Sequence, residues 1–119
     1  MARKISAFKK KHHVDAIAFT GYSGSACAYA LSYKLGIPLI CIRKKNRKSH
    51  FDGFYEGRIN VKDYIIVDDF IETGKTIDEI KRRVKIKSPG ANLVAIFLYS
   101  STPYFLDWDG VPIFHLKNK

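Results

Sequence analysis

Two adjacent carboxylates, Asp68 and Asp69, end the apolar run Tyr64 to Val67. Two apolar residues, Phe70 and Ile71, separate them from Glu72, and Thr73-Gly74-Lys75-Thr76 then opens an amphipathic helical pattern. This order sets acidic groups beside backbone N–H groups at a helix N-terminus. Such amides hold a phosphate, while the carboxylates suit sugar hydroxyls or a metal ion. A ligand carrying both phosphate and ribose meets both halves of the arrangement. Gly74-Lys75-Thr76 also looks like the end of a P-loop, but that motif needs a glycine five residues earlier so that its amides can wrap the phosphates. The residue there is Asp69. A carboxylate at that point repels the phosphate it should cradle, and the P-loop reading fails.

The flanking pattern predicts how these residues are positioned. Ile5 and Phe8 lie at helical spacing among the lysines of residues 3–11, and imply a short surface helix. Ala16 to Thr20 read as a first strand, followed by Gly21-Tyr22-Ser23-Gly24 as a loop. Ala26, Tyr29, Ala30 and Tyr33 follow an i, i+3, i+4, i+7 pattern, a helix stopped by Gly36 and Pro38. Leu39 to Ile42 make a second strand, residues 44–53 a long basic loop, and Phe54 to Ile59 a short strand of antiparallel character. Tyr64 to Asp68 is the strand of the acidic motif and residues 75–87 its helix, with Ile77, Ile80 and Val84 facing the core. Asn92 to Tyr99 and Pro112 to Leu116 supply the last two strands. Alternating strands and helices imply right-handed βαβ units in a mainly parallel sheet. Ligands of such sheets bind beyond the carboxyl ends of the strands at the switch point. The loops at 20–25 and 68–76 are expected to meet there.

An apolar strand, two acidic residues, two apolar residues, one variable residue and Thr-Gly-Gly/Lys-Thr make up the signature for phosphoribosyl pyrophosphate (PRPP) in type I phosphoribosyltransferases. Residues 64–76 resemble it over about a dozen positions, whereas an ordinary strand–turn–helix with incidental acids leaves that agreement unexplained. The resemblance covers the family core in order over residues 14–99. It implies an α/β fold, a three-layer α/β/α arrangement with a mainly parallel five-stranded sheet, a short extra antiparallel strand and a reduced hood.

By the same resemblance Asp68 and Asp69 hold the ribose 2′- and 3′-hydroxyls, directly or through Mg2+, and Thr73, Gly74, Lys75 and Thr76 fix the 5′-phosphate. Gly21, Tyr22 and Ser23 occupy the place of the pyrophosphate loop. Arg43 and Lys44 match an Arg-Lys pair of several branches, at the head of a basic loop (Lys45, Arg47, Lys48, Ser49, His50) that closes over the site. Glu72, Asp69 and Lys44 take the catalytic positions. Glu72 stands where the hypoxanthine-guanine and xanthine-guanine branches carry an Asp that assists proton transfer at the purine N7, and Lys75 also resembles the hypoxanthine-guanine branch. Trp108 and Asp109, in Leu106-Asp107-Trp108-Asp109-Gly110-Val111, are similar to a Trp-Asp segment that stacks on the base. Two departures bear on the base. Ser100 falls where the family lysine for the 6-oxo group is expected, and the segment before Trp108 is short.

The resemblance thus implies transfer of 5-phosphoribose from PRPP to a nucleobase, a purine in preference, by a homodimer. A non-catalytic PRPP- or nucleotide-sensing module of the same fold is the rival reading. Composition is consistent with either. The chain of 119 residues, 46% hydrophobic, is expected to form one phosphoribosyltransferase-like domain over 1–119. No apolar run reaches membrane-spanning length and no signal-peptide core follows the basic start, so a cytoplasmic protein is expected. Cys27 and Cys41 lack metal-ligand spacing and read as buried free thiols. The net charge of +10 comes mainly from residues 3–11, 43–48 and 81–87. Such a surface serves nucleic acid or attracts a highly anionic small substrate, whereas the 81–87 cluster, on a helix whose Ile77, Ile80 and Val84 face the core, reads as a solvated face. No nucleic-acid-binding motif accompanies it.

Overall fold

A computed structural model describes residues 1–43, 55–58, 60–68, 74–99 and 107–115, with the backbone alone for 22–24. The elements run α1 (Ala2–Lys11), β1 (Ala16–Phe19), α2 (Gly21–Leu35), β2 (Leu39–Ile42), β3 (Tyr55–Gly57), β4 (Asp63–Asp68), α3 (Lys75–Lys87), β5 (Asn92–Leu98), β6 (Asp107–Trp108) and β7 (Val111–His115). Their strands form one sheet in the order β3-β2-β1-β4-β5-β7-β6. The five central strands are parallel, while β3 and β6 pair antiparallel at the two edges. The three layers, the five parallel strands and the extra antiparallel strand all match the expectation.

The central strands are buried on both faces, which is why Ala16–Phe19 and Tyr64–Val67 are continuous apolar runs rather than alternating ones. Alternation survives as a division between two cores. Ala16, Ala18, Ile40, Ile42, Tyr64 and Ile66 pack with Ile77, Ile80 and Val84 of α3 on one face. Ile17, Phe19, Ile65 and Val67 pack with Ile5 of α1 and with Ala28 and Leu31 of α2 on the other. Phe8 of α1 meets Phe97 and Phe114 edge-on at 5.9 and 5.8 Å, and the latter two stack at 5.0 Å. These rings anchor α1 across β5 and β7.

Three expectations need correction. First, α2 begins at Gly21, so residues 21–24 are the first turn of a helix and not a separate loop. The positive φ of Gly21 (72°) turns the chain within one residue, a conformation that costs glycine little. Second, the periodic set Ala26, Tyr29, Ala30 and Tyr33 marks the outer face of α2. Tyr29 and Tyr33 are 60% and 94% exposed, and Ala28 and Leu31 face the core instead. Ala28 and Leu31, with Cys27 and Leu35 packed beside them, form the inner stripe, one step round the helix from the periodic set. Third, Cys27 and Cys41 are free thiols but only half-buried. Burial pushes both thiols up in pKa, which keeps them protonated.

The C-terminal strand is part of a hairpin that the pattern reading missed. Asp109 and Gly110 both have positive φ (50° and 83°), the geometry of a two-residue type I′ turn, for which Asp-Gly is a strong sequence signal. Trp108 pairs with Val111 across it, and the Gly110 N–H donates to Asp107 Oδ2 at 3.2 Å.

Candidate functional site

The order of strands reverses at β1, which has β2 on one side and β4 on the other. Parallel α/β sheets bind ligands at the carboxyl side of such a point, where the two flanking connections diverge and leave a crevice. Three elements deliver residues to it here. Thr20 leaves β1 as the N-cap of α2, and its hydroxyl donates to the Ile42 carbonyl, tying together the carboxyl ends of β1 and β2. Arg43 follows directly on β2. Asp68 ends β4, 8% exposed, and the alternation that places Tyr64 and Ile66 under α3 puts it on the α3 face as well.

A cavity of about 150 Å³ lies among these ends, lined by Thr20, Ile42, Arg43, Lys75, Thr76, Glu79 and Ile80. Its floor is β1 and β2, and its wall is the first two turns of α3. That helix starts after Gly74, whose φ of 81° lies in the left-handed region. The first intrahelical bond runs from the Asp78 N–H to the Gly74 carbonyl at 3.0 Å. The amides of the first turn, at Lys75 and Thr76, therefore belong to a helix N-terminus with its partial positive charge. On the opposite side, α2 presents its own N-terminus at Gly21. The correction of residues 21–24 from loop to helix thus keeps main-chain amides at this place.

The electrostatics of the cavity are mixed. Arg43 pairs with Glu56 of β3 at 2.9 Å, both side chains more than half exposed. Glu79 is the one wall residue whose charge opposes an anion, and it is held by Arg82 and by Arg83, the latter at 2.9 Å. Hydrogen bonds from Arg82 and then Arg83 draw its carboxyl below the ordinary range. Glu79 and its two arginines were not singled out by the motif. Their spacing, Glu at i with Arg at i+3 and i+4, was the available signal.

Trp108 reaches the same region from the far edge of the sheet. A methyl group at Gly74 would lie 1.8 Å from Cη2 and 2.2 Å from Cζ2 of Trp108, so the indole rests on the glycine that starts α3. The β6–β7 hairpin, not sequence proximity, brings them together. Asp109 is exposed in its turn. Among the residues expected to act, Asp68, Gly21, Arg43, Gly74, Lys75, Thr76 and Trp108 are accordingly placed at or around the carboxyl end. Asp69, Glu72, Thr73, Lys44, Lys45, Arg47, Lys48, Ser49, His50 and Ser100 lie outside the described residues, as do the side chains of Tyr22 and Ser23. Among the described residues no group of three or more His, Cys, Asp or Glu side chains is placed to hold a metal. No described helix is long and apolar enough to cross a membrane.

No protein-family model and no curated protein matches the sequence. Solved structures do match. A purine phosphoribosyltransferase from Pyrococcus horikoshii is 27% identical, with a TM-score of 0.63 over 96% of this chain and 76% of that one. An adenine phosphoribosyltransferase from Saccharomyces cerevisiae, solved with adenine and an imino-altritol bisphosphate, is 20% identical, with a TM-score of 0.69 over 98% of this chain and 75% of that one. The UMP synthase of Leishmania donovani is 23% identical, with a TM-score of 0.69 over 96% of this chain, which spans only 25% of it. The fold is that of the type I phosphoribosyltransferases, and the neighbours act on adenine, other purines and orotate rather than marking one branch.

Proposed function

We propose that this chain is a phosphoribosyltransferase, which transfers 5-phosphoribose from PRPP to a nitrogenous base, a purine in preference, and releases pyrophosphate. The observation that carries the reading is the convergence of Thr20, Arg43 and the Lys75–Thr76 helix start on one cavity at the switch point, with Asp68 at the carboxyl end of β4 on the same side of the sheet. The signature motif supplies the acids and the amides, and the neighbours of this fold include adenine and purine phosphoribosyltransferases.

In this reading the amides and hydroxyls of Thr73 to Thr76 take the 5′-phosphate at the N-terminus of α3. Asp68 and Asp69 take the ribose diol. Gly21, Tyr22 and Ser23 present main-chain N–H groups to the pyrophosphate, with Arg43 and Lys44 as its cationic partners. Bond breaking at C1 places positive charge on the ring and negative charge on the leaving group, so fixed donors at the pyrophosphate lower the barrier. Glu72 accepts a proton from the incoming base. Trp108, leaning on Gly74, offers an aromatic face beside the ribose phosphate, with Asp109 at its edge.

Mg2+ is assigned to Asp68 and Asp69. A site with one or two carboxylates suits this ion, which completes its shell with water and phosphate oxygens, and Asp68 at the carboxyl end fits that donor set. Bound there, it would neutralise the departing pyrophosphate. Homodimerisation is also part of the proposal, with the exposed Tyr29 and Tyr33 of α2 as the candidate contact.

One observation favours the rival, a PRPP- or nucleotide-sensing module. Only residues 99–106 connect β5 to β6, which is little chain for a hood over a base. A panel of guanine, hypoxanthine, xanthine, adenine and orotate with PRPP and magnesium separates the two. Pyrophosphate release with any base, abolished by Asp68→Asn in a folded protein, supports transfer. PRPP binding without turnover on every base supports the sensor. Full turnover by Asp68→Asn would overturn the site assignment.

A further inference from the structure

The two faces of the sheet are covered unequally. Helices α1 and α2 shield one face, while α3 is the sole described helix on the other. The connection from β5 to β7 adds a two-residue strand but, among the described residues, no helix. A groove of about 700 Å³ consequently runs beside α3, on the side away from β1 and β2. It lies near the amino ends of the parallel strands. Tyr64 near the start of β4, Asn92 and Leu93 at the start of β5, and Val111 at the start of β7 all line it. The cavity described above is at the opposite, carboxyl ends.

Helix α3 serves both places with different rows of side chains. Lys75, Thr76, Glu79 and Ile80 face the carboxyl-end cavity, while Asp78, Lys81, Arg82 and Lys85 face the groove. Three cations thus stand against a single carboxylate along one wall, Arg82 being shared with Glu79 while Lys81 and Lys85 complete the row. Lys81 and Lys85 are one helical turn apart, roughly 6 Å along the axis, so their ammonium groups can engage neighbouring phosphates. The floor is different in character. Leu93 and Val111 are half-buried apolar residues beneath the cationic wall. The Tyr64 phenol is raised in pKa by burial, with Tyr55 adding to the effect, so it stays protonated and remains a hydrogen-bond donor. The volume falls within the usual range for sites of small organic ligands.

We propose that this groove binds a nucleotide: phosphates along Lys81, Arg82 and Lys85, and the base over Leu93 and Val111. The site is independent of the crevice assigned to PRPP, and the inference does not rest on the transfer reaction. A cationic wall alone would attract any anion. The apolar floor beside it selects an anion with a flat organic part, which inorganic phosphate and small dicarboxylates lack. Free nucleoside polyphosphates and nucleotides within a single strand share this chemistry.

Calorimetric titration of the whole chain with ATP, and fluorescence anisotropy with a labelled ten-residue oligoribonucleotide, test the assignment without PRPP. Saturable binding of either probe is expected, weakened at least about tenfold in Lys81→Gln/Lys85→Gln, since each lost charge-assisted hydrogen bond matters on that scale. Both positions lie at the helix surface, so the variant should keep its circular dichroism spectrum and its affinity for PRPP. Tighter binding of the oligonucleotide than of ATP, with a steeper salt dependence, would assign the site to a strand, and the reverse order to the free nucleotide. Loss in Leu93→Asp of the ATP affinity that inorganic triphosphate never had would confirm the role of the floor. The proposal fails if neither probe binds, if the double variant binds as well as the parent, or if PRPP displaces the probe competitively.

Discussion

Replacing Gly74 by alanine tests the idea that Trp108 and the start of α3 form one unit. Two costs can be worked from the geometry. The left-handed φ of 81° disfavours any residue with a Cβ, by about 1–2 kcal/mol. The new methyl would also sit 1.8 Å from Cη2, 2.2 Å from Cζ2 and 2.8 Å from Cζ3 of Trp108, so the indole must move, at about 1–3 kcal/mol for overpacking. Gly74→Ala should therefore cost about 2–5 kcal/mol, a fall in urea midpoint on the order of 1–2 M. The two terms separate in a double-mutant cycle followed by circular dichroism. With Trp108→Ala in the background the clash is gone and only the backbone cost of about 1–2 kcal/mol should remain. The coupling between the two positions should then be about 1–3 kcal/mol. Trp108 is the sole tryptophan, so its emission should also shift in Gly74→Ala alone. Additivity within about 0.5 kcal/mol, with unchanged emission, would refute the contact and with it any role for the hairpin at the candidate site.

Other perturbations give sharper signs than sizes. Asp15 opposes its own burial with hydrogen bonds from the Lys62 and Asp63 amides at 2.8 and 3.1 Å, and the nearby His13 and Arg58 charges help to hold its carboxyl below 3.8. A depressed folded pKa contributes stability above the unfolded value that disappears as pH falls through the folded one, so Asp15→Asn should flatten the acid limb below about pH 4 in thermal melts; an unchanged limb would reject the linkage. Glu56→Gln removes the partner of Arg43, yet both side chains are exposed, so stability should change by less than about 1 kcal/mol. Its measurable effect should instead be on PRPP affinity, and a large stability loss with unaltered affinity would mean that the pair only fastens β3. Tyr33→Lys, at a position 94% exposed, should leave the melting temperature unchanged and weaken any self-association in sedimentation; no change in sedimentation would remove α2 as the contact.

Much of the architecture was legible because it is written in local pattern. Tyr64 to Val67 has the unbroken apolar character of a strand buried on both faces, and Ile77, Ile80 and Val84 have the spacing of a helix buried on one. Alternation of such elements leaves few topologies, and the switch point follows from the strand order. The failure at α2 has a physical cause. An i, i+3, i+4, i+7 pattern marks a helix but does not say which of two such stripes is inward, and here Ala28 and Leu31 take the core. Tyr33 points to solvent, and Tyr29, 60% exposed, meets Phe19 only edge-on at 5.6 Å.

The site was legible only in the part that one segment encodes. Gly74, Lys75 and Thr76 are read from their own motif, since a helix start needs nothing beyond itself to present amides. What surrounds them comes from distant residues whose types are individually ordinary. Thr20 stands in a loop that the pattern sends to the site, but its hydrogen bond to Ile42, twenty-two positions away, is visible only in the fold. Trp108 meets Gly74 because Asp109-Gly110 reverses the chain, and that turn, unlike the contact, is written in two adjacent letters. Had the Asp-Gly pair been read as a hairpin, β6 would have followed on the outer edge of β7, with Trp108 brought back along the strand. The distance to the helix start would still have been missing. It depends on the strand order β4-β5-β7-β6, which sets the hairpin at the sheet edge beyond β5, on the side of β4 away from β1.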